Sequence, residues 1–407
     1  MKRTLFRLLA LGGLVACDDP TRPAETAPTA TPPSAAAVGG RFSVQSLGTL
    51  GGTFSAGFGI NERTEVVGDA DLPSGKVRAF LWRPGRGMRS LGTLGGANSF
   101  GNRPNDQGEV VGFSEIRPGS ETVRAFLWSA GAGMRGLGTL GGQNSFANSI
   151  NNRREVVGES QNANGRPRAF LWRPGRGMRS LGTLGGLFSI AFDVNDATQV
   201  VGTSGIDAET EHAFLWTAEG GMEDLGTLGG ANSAAFGISQ TGEVVGISQT
   251  AAGTDEGFLW TREGGMRSLG TLGGPVSVGR SVNTHRRVAG ASLPENGQMF
   301  RPIYWTPERG MRRLPRLGGS FGDALYLNEF GEITGRSTTE SGALRAVLWT
   351  PTPGPLLADA ADETADLATA AAPAGPGDPL AALCGRARAQ RNWSRFGITA
   401  EAGCSQR

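Results

Sequence analysis

A repeat of 44 to 46 residues runs through most of the chain and constrains its fold more than any other feature. Each copy contains one tryptophan in the same local context, and these residues are Trp82, Trp128, Trp172, Trp216, Trp260, Trp305 and Trp349. A unit of this length buries its apolar side chains mainly against its neighbours. The repeat therefore predicts one large domain of seven units, from residue 41 to residue 351, rather than several independent domains.

Four short segments make up each unit, and glycine or turn residues separate them, which is typical of strands rather than helices. In the third unit the segments lie at 145–150, 155–158, 168–172 and 178–184. Glycine is abundant, with 66 of 407 residues, and only 19% of the chain is charged, which suits short strands and tight turns. The sequence therefore predicts an all-β fold.

Two positions of the unit predict local backbone geometry. The first segment ends at a short polar residue that favours a hairpin turn, and these residues are Asn61, Asn105, Asn151, Asn195, Ser239, Asn283 and Asn328. The second segment contains a glycine in every unit, for example Gly158. A glycine inside a strand indicates a bulge or another backbone close by.

The two ends of the repeat array indicate how the units are arranged. The last unit has no fourth strand, because a proline-rich stretch begins after Trp349. Residues 42–50 match the fourth-strand pattern but precede any first strand. We therefore predict a seven-bladed β-propeller closed by this N-terminal strand, which leaves no open edge. A solenoid or a sandwich is the alternative, although a solenoid has no use for this offset and needs polar caps on its end repeats.

The unit resembles the HAF-type extracellular repeat, which takes its name from a His-Ala-Phe triplet. Here that triplet is His212-Ala213-Phe214, followed by Leu215 and Trp216. The other units have arginine or glutamate at the first position, so His212 is a variable strand residue rather than a ligand. The resemblance covers about residues 41 to 351. It implies an exported repeat protein and supplies no catalytic residue.

The segments outside the repeats indicate an exported, lipid-anchored protein. Residues 1–17 have a basic start and a short apolar run, which is typical of a secretory signal and too short to span a bilayer. The run ends Leu14-Val15-Ala16-Cys17 and resembles the lipobox of bacterial lipoproteins, which implies a lipid on Cys17. A plain signal peptide is the alternative. We expect residues 18–40, rich in Pro, Ala and Thr, to form an extended tether.

Beyond the repeats, residues 352–380 predict a flexible linker because they contain little apolar surface. The small segment 381–407 contains Cys384 and Cys404. Two remaining cysteines in an exported protein favour a disulfide, which we predict here.

The repeat offers few candidate functional residues. The seven tryptophans share one strand position, which favours packing between units over a sugar-binding array. Asn98, Asn144 and Asn232 lie in the loops that enter first strands. They are the candidate ligand-binding residues, through glycan hydroxyls, although turn capping is the commoner role of asparagine there. Ser320 matches the G-x-S-x-G sequence pattern of a nucleophile elbow, but no strand-to-helix turn is expected after it. We expect no catalytic residue, no cofactor and no metal site.

Charge is unevenly distributed between the two expected ends of the units. Turns after the third strand are rich in arginine, including Arg83, Arg86, Arg173 and Arg176. Loops between the second and third strands contain more acidic residues, among them Asp71, Glu115 and Asp207. One face is therefore predicted to be basic, either as ordinary solvated charge or as a surface for anionic headgroups or envelope polymer. The net charge of +2 does not favour nucleic-acid binding.

These features lead to one main functional hypothesis. We expect a monomeric, lipid-anchored binding or scaffolding module in the cell envelope, facing the periplasm or the exterior, and not an enzyme. Its partner would be the membrane through the anchor, with envelope polysaccharide or another protein as ligand. A carbohydrate-active lyase or hydrolase with an axial active site is the alternative, and it requires His, Asp, Glu or Tyr at axial positions of several units. The sequence shows mostly Ser, Ala, Gly and Asn there. A structural spacer is a third possibility.

Overall fold

The computed structural model describes residues 42–120 and 122–352, and within these ranges it contains strands and turns but no helix. The all-β prediction is therefore confirmed. First strands of the seven units are β2 (Ser55–Ile60), β6 (Ser99–Pro104), β10 (Gly141–Ile150), β14 (Ser189–Val194), β18 (Gly229–Ile238), β22 (Gly273–Val282) and β26 (Gly318–Leu327). Second strands are β3 (Val66–Asp71), β7 (Val110–Glu115), β11 (Val156–Asn162), β15 (Val200–Gly205), β19 (Val244–Thr250), β23 (Val288–Pro294) and β27 (Ile333–Thr339).

Third and fourth strands complete the units. Third strands are β4 (Val77–Arg83), β8 (Val123–Ser129), β12 (Pro167–Arg173), β16 (Glu211–Thr217), β20 (Asp255–Thr261), β24 (Arg301–Thr306) and β28 (Leu344–Pro351). Fourth strands are β5 (Gly87–Ser90), β9 (Gly133–Gly136), β13 (Gly177–Ser180), β17 (Gly221–Asp224), β21 (Gly265–Ser268) and β25 (Gly310–Arg313), with β1 (Phe42–Ser46) beside β28. Consecutive strands of a unit pair antiparallel. Units 5 and 6 are joined into one eight-stranded sheet by a single parallel pairing of Asp255 with Val276.

The N-terminal strand pairs with the last strand of the repeat array, as the offset at the chain ends predicts. β1 runs antiparallel to β28, from Phe42 opposite Pro351 to Ser46 opposite Val347. Leu47 follows with a backbone hydrogen bond to Ala346 and packs in a cluster that includes Ile60 of unit 1. Unit 7 therefore contacts unit 1. Thr64 of unit 1 also donates a hydrogen bond to Glu332 of unit 7, which lies 268 residues further along the chain.

Aromatic and aliphatic side chains fill the spaces between adjacent units. Phe170 and Trp172 of unit 3, for example, pack against Leu127 and Leu137 of unit 2. Trp172 is only 8% exposed. Because the same arrangement recurs between other units, the tryptophans are packing residues, as their shared position indicates.

The glycine of each second strand lies where the first strand passes very close. A Cβ atom on Gly158 would lie 1.9 Å from the carbonyl oxygen of Phe146. The pairing register of the first strand shifts next to this point, between Ala147 and Ser149. The predicted irregularity is thus present, and the bulge itself lies on the first strand rather than on the glycine strand.

The turn between first and second strands is built by the asparagine that the sequence singles out. In unit 1 the side-chain oxygen of Asn61 accepts hydrogen bonds from the backbone N–H groups of Arg63 and Glu65. The third residue after the asparagine has a positive φ in all seven units, and these residues are Thr64, Gly108, Arg154, Thr198, Gly242, Arg286 and Gly331. Four of them are not glycine, so the surrounding contacts hold this turn against an unfavourable backbone conformation.

The same asparagines also connect neighbouring units. The side-chain amide of Asn61 donates to the backbone oxygen of Asn105, 2.9 Å away, and similar bonds lead onward from Asn105, Asn151, Asn195 and Asn283. Asn328 donates to the backbone oxygen of Asn61 at 3.2 Å. Since Ser239 has no amide to donate, unit 5 departs from the series.

Candidate functional site

A polar cluster lies where the first strands converge, and it is formed at one variable position of the repeat. This position follows the bulge of each first strand, and its residues are Gly59, Arg103, Ser149, Asp193, Gly237, Ser281 and Tyr326. Equivalent positions of different units approach one another at such a centre. Arg103 of unit 2, Asp193 of unit 4 and Tyr326 of unit 7 therefore come together although they belong to units that are not neighbours.

Arg103 occupies the middle of this cluster. Its guanidinium lies over the Tyr326 ring, 3.6 Å from the ring centroid, and donates to the backbone oxygen of Phe58. Its Nε atom is buried and has no hydrogen-bond partner. Such an uncompensated buried donor is uncommon in a folded protein.

Asp193 is held from two further units. Ser149 Oγ donates to one carboxylate oxygen at 2.6 Å, and the backbone N–H of Ile238 donates to the other at 3.2 Å. Burial raises the pKa of Asp193, and the positive charge of Arg103 opposes this rise. Burial also raises the pKa of Tyr326, and the negative charge of Asp193 adds to the effect. The phenol is therefore neutral at physiological pH.

A second ring of polar residues surrounds the cluster at the end where first and second strands join. It is formed by the residue after each turn asparagine, and its members are Glu62, Asp106, Asn152, Asp196, Gln240, Thr284 and Glu329. In most units the backbone N–H of one member donates to the side chain of the next. The N–H of Glu329 donates to Glu62 at 3.1 Å, which links the last unit to the first. We call this set the mouth ring.

Glu62 is the member of the mouth ring with a perturbed carboxyl group. Burial raises the pKa of Glu62 to about 7, with a further rise from the carboxylates of Asp106, Glu329 and Glu332 and an opposing hydrogen bond from the Glu329 backbone. A carboxyl group with this pKa exchanges protons near neutrality, which suits a general acid or base. Clustered carboxylates of perturbed pKa are a common feature of active sites and also of structural networks.

Four of the seven residues at this strand position are Gly or Ser, as expected for axial positions, but the other three are not. These are Arg103, Asp193 and Tyr326, and the mouth ring adds Glu62 and Glu329. The sequence does show that the position two residues before each turn residue varies unusually between units. The sequence does not show that this side chain faces the centre, because the bulge before it changes which side chains of the strand point inward.

The candidate ligand-binding asparagines all make the same structural contact. The side-chain oxygens of Asn98, Asn144 and Asn232 accept hydrogen bonds from the backbone N–H groups that begin the third strands of the preceding units, at 2.9 to 3.1 Å. Asn98 also donates to Glu115 at 2.8 Å. The three asparagines lie in the loops that enter the first strands, as predicted. Their amide oxygens are already engaged in hydrogen bonds that join adjacent units.

The arginine turns lie at the same end of the units as the mouth ring. Arg83 contacts Glu65 at 2.6 Å, and Arg173 contacts Glu155 at 2.7 Å. We call this end the turn face. At the opposite end, Asp71 and Glu115 accept hydrogen bonds from backbone N–H groups of the loops that enter the first strands of their units. The separation of the two ends agrees with the sequence, but carboxylates at the centre of the turn face were not foreseen.

Several predictions concern residues outside the described ranges. Cys17, Cys384 and Cys404 all lie there, together with the signal, tether, linker and C-terminal segments. Among residues 42–120 and 122–352, no three His, Cys, Asp or Glu side chains are placed to bind a metal ion. The described part of the chain also has no helix with the length and apolarity that a membrane span requires.

Known structures resemble this chain in fold. The β-propeller domain of the Trilobed protease from Pyrococcus furiosus, which has an open velcro topology, is 7% identical with a TM-score of 0.50, covering 73% of this chain and 95% of that chain. TolB from Acinetobacter baumannii is 13% identical with a TM-score of 0.43, covering 71% of this chain and 63% of that chain. XC5397 from Xanthomonas campestris, a gluconolactonase, is 10% identical with a TM-score of 0.39, covering 76% and 90%.

The likeness to the Trilobed protease domain agrees with an all-β, propeller-like fold. The chain spans less than two thirds of the TolB structure that it resembles. Its sequence matches no family model and no curated protein. The structural resemblance at 7 to 13% identity therefore concerns architecture alone.

The expectation that the chain is not an enzyme is corrected by the same comparisons. The similar structures include the gluconolactonase, a puromycin hydrolase and two peptidases. The shared fold by itself assigns no reaction to this chain. The expectation rested on an apparent lack of acidic and phenolic residues at axial positions. The structure does place such residues there, namely Asp193, Tyr326 and Glu62.

Proposed function

We propose that the chain is a closed seven-bladed propeller of the HAF-type repeat class, lipid-anchored through Cys17, that binds an anionic envelope polysaccharide on its turn face. Closure is supported by the pairing of β1 with β28 and by the hydrogen bonds that lead from unit 7 back to unit 1. The anchor and the repeat class are supported by the sequence patterns at residues 14–17 and 41–351.

The observation that carries this function is the surplus of arginine on the turn face. Glu65 and Glu155 are nearly buried and already bind Arg83 and Arg173. The turns of units 1 and 3 hold a further exposed arginine each, Arg86 and Arg176, and neither makes an ion pair in the described structure. Exposed guanidinium groups on rigid turns are suited to planar, bidentate contact with carboxylate or phosphate groups of a polymer.

Replacing Arg86 and Arg176 together by serine should weaken binding to immobilised alginate and phosphomannan by about tenfold or more, at about 1 kcal/mol for each arginine near an anionic surface. The measurement is surface plasmon resonance with the repeat domain at low and high salt. The matched control replaces Arg117 and Arg166 by serine. These arginines are exposed on the opposite face, and their replacement removes the same amount of charge. Equal effects of the two double variants would contradict a turn-face site. Loss of binding to phosphatidylglycerol vesicles but not to the polymers would assign the face to the membrane instead.

A second candidate function is an axial hydrolase or lyase activity on a polysaccharide. It is favoured by the cluster of Arg103, Asp193 and Tyr326 beside the mouth ring, in which Glu62 has a pKa of about 7. In this proposal Glu62 exchanges the proton, and the guanidinium of Arg103 supplies a positive charge that stabilises negative charge developing on the substrate.

Glu62→Gln tests this candidate through both stability and activity. The pKa of Glu62 is raised from 4.5 to about 7 on folding, so the folded state holds the proton more tightly than the unfolded state. This contribution to stability is complete below about pH 4.5 and is lost as the pH rises through 7. The variant should lose that part of the pH dependence of Tm and, in a polysaccharide screen, at least about 100-fold of any activity. Asp106→Asn is the control, since its amide oxygen can still accept the Glu62 N–H. Unchanged activity in Glu62→Gln would exclude the catalytic role.

A further inference from the structure

A pocket on the turn face of unit 3 has the chemistry of a discrete anion site. It has a volume of about 370 Å³ and is lined by Arg153, Glu155, Arg173, Pro174 and Arg176. Three guanidinium groups and one carboxylate line the pocket, which leaves an excess of two positive charges. Arg173 is held by Glu155 at 2.7 Å, so one of the three guanidinium groups has a fixed orientation.

The carboxylate of Glu155 is already satisfied without Arg153. Thr198 Oγ1 and Asn151 Nδ2 both donate to Oε2 at 2.7 Å, and Arg173 donates to Oε1. Burial opposes ionisation of Glu155, but these three hydrogen bonds outweigh it and hold its pKa below the ordinary value. Arg153 is left with one long side-chain hydrogen bond, 3.3 Å, to the backbone oxygen of Asp196.

Unit 1 has the same three arginines but arranges them differently. Arg63, the counterpart of Arg153, donates to Oε2 of Glu65 at 2.7 Å, while Arg83 holds Oε1. The counterpart of Thr198 is Gly108, which has no side chain to occupy that oxygen. A Cβ atom on Gly108 would lie 2.6 Å from the guanidinium of Arg63 and would displace it. The residue at this turn position in the following unit thus decides whether the arginine turns inward or outward.

We infer that the unit 3 pocket binds the phosphoryl group of a sugar phosphate, with Arg153, Arg173 and Arg176 as its ligands. A phosphate monoester carries a charge of about −1.5 to −2 and three acceptor oxygens, which matches the excess charge and the three guanidinium groups. The pocket is larger than a bare phosphate and falls within the usual range for small ligands. This inference rests on the proposed anionic ligand of the turn face and assigns it one site and one chemical group.

The first test measures binding of glucose 6-phosphate, inorganic phosphate and galacturonate to the repeat domain by isothermal titration calorimetry. One molecule of glucose 6-phosphate should bind per chain, with galacturonate weaker because it has one charge and two oxygens. Vesicles of phosphatidylglycerol form a further arm that separates a lipid source of the phosphoryl group from a soluble one. Absence of binding by both phosphate probes, or equal binding of galacturonate, would overturn the inference.

Two substitutions exploit the comparison between units. Thr198→Gly frees Oε2 of Glu155, so Arg153 should turn inward as Arg63 does, and glucose 6-phosphate binding should weaken by about tenfold. Glycine is well suited to this position because Thr198 has a φ of 64°. Gly108→Thr should displace Arg63 and raise the stoichiometry from one to two. Thr64 and Thr198 already adopt the required backbone conformation.

Arg176→Gln and Arg86→Gln form the matched pair that separates a pocket from general charge. Only Arg176→Gln should reduce phosphate affinity, since Arg86 belongs to unit 1, in which Arg63 faces inward. Equal effects of the two variants, or no effect of Thr198→Gly, would reject the pocket. Polymer binding by the turn face would be judged separately through Arg86→Ser, which leaves the pocket residues Arg153, Arg173 and Arg176 in place, so the two proposals can fail independently.

Discussion

Removal of residues 42–47 is expected to abolish the cooperative, monomeric folded state. The segment contains β1, which pairs with β28 over five residues, and Leu47, which is 6% exposed. Phe42 and Val44 pack against the cluster of Trp349 and Leu314. At roughly 1.5–3 kcal/mol for each buried apolar side chain, the loss is about 5 kcal/mol, against a total stability of about 5–15 kcal/mol for a folded domain. The exposed edge of β28 would also promote aggregation.

The measurement compares a chain beginning at residue 48 with one beginning at residue 41, by thermal unfolding and size-exclusion chromatography. The longer chain is the control because it retains β1. Adding a synthetic peptide of residues 41–50 to the shorter chain should restore part of the lost Tm, since the pairing partner is supplied separately. If the two chains have the same Tm and remain monomeric, the pairing of β1 with β28 is not what stabilises this fold.

The repeat pattern was sufficient to predict the fold class and the strand order of each unit. Trp172 and Phe170 recur at fixed positions, and side chains at the same position of every unit must face the same kind of surroundings. The turn at Asn151 was predicted for a similar reason, since its side chain bonds to backbone atoms within four residues. Local chemistry and periodicity thus carry this part of the structure.

The candidate sites could not be predicted in the same way. Arg103, Asp193 and Tyr326 differ in type and are up to 223 residues apart, and only the convergence of the first strands brings them together. The unit 3 pocket depends on Thr198, which belongs to the next unit and acts through Glu155 on Arg153. Contacts between residues of different type in different units do not repeat along the sequence. A comparison of the aligned repeats therefore does not reveal them.

Gly158→Ala is expected to be strongly disruptive, as is any alanine at the equivalent glycines of the repeat array. The new Cβ would lie 1.9 Å from the carbonyl oxygen of Phe146, and this neighbour is backbone within a paired strand that cannot rotate away. Separation of β10 from β11 would also disturb the bulge that follows Ala147. Alanine gains about 0.5–1 kcal/mol over glycine in an unstrained strand, whereas overpacking of a close contact costs about 1–3 kcal/mol or more. The clash therefore dominates, and the variant should be destabilised by at least about 2 kcal/mol.

Gly131→Ala is the matched control for this prediction. Gly131 lies in the turn between β8 and β9, its φ is not in the left-handed region, and a Cβ atom there would meet nothing within 4 Å. Urea unfolding of the two variants should give an unchanged midpoint for Gly131→Ala and a clearly lowered one for Gly158→Ala. The glycines at the equivalent positions of the other units have Cβ sites within 2.1 Å of a first-strand carbonyl oxygen, so Gly202→Ala should repeat the effect. A midpoint for Gly158→Ala equal to that of the control would mean that the first strand can move away from β11, and that the bulge rather than the glycine sets this close approach.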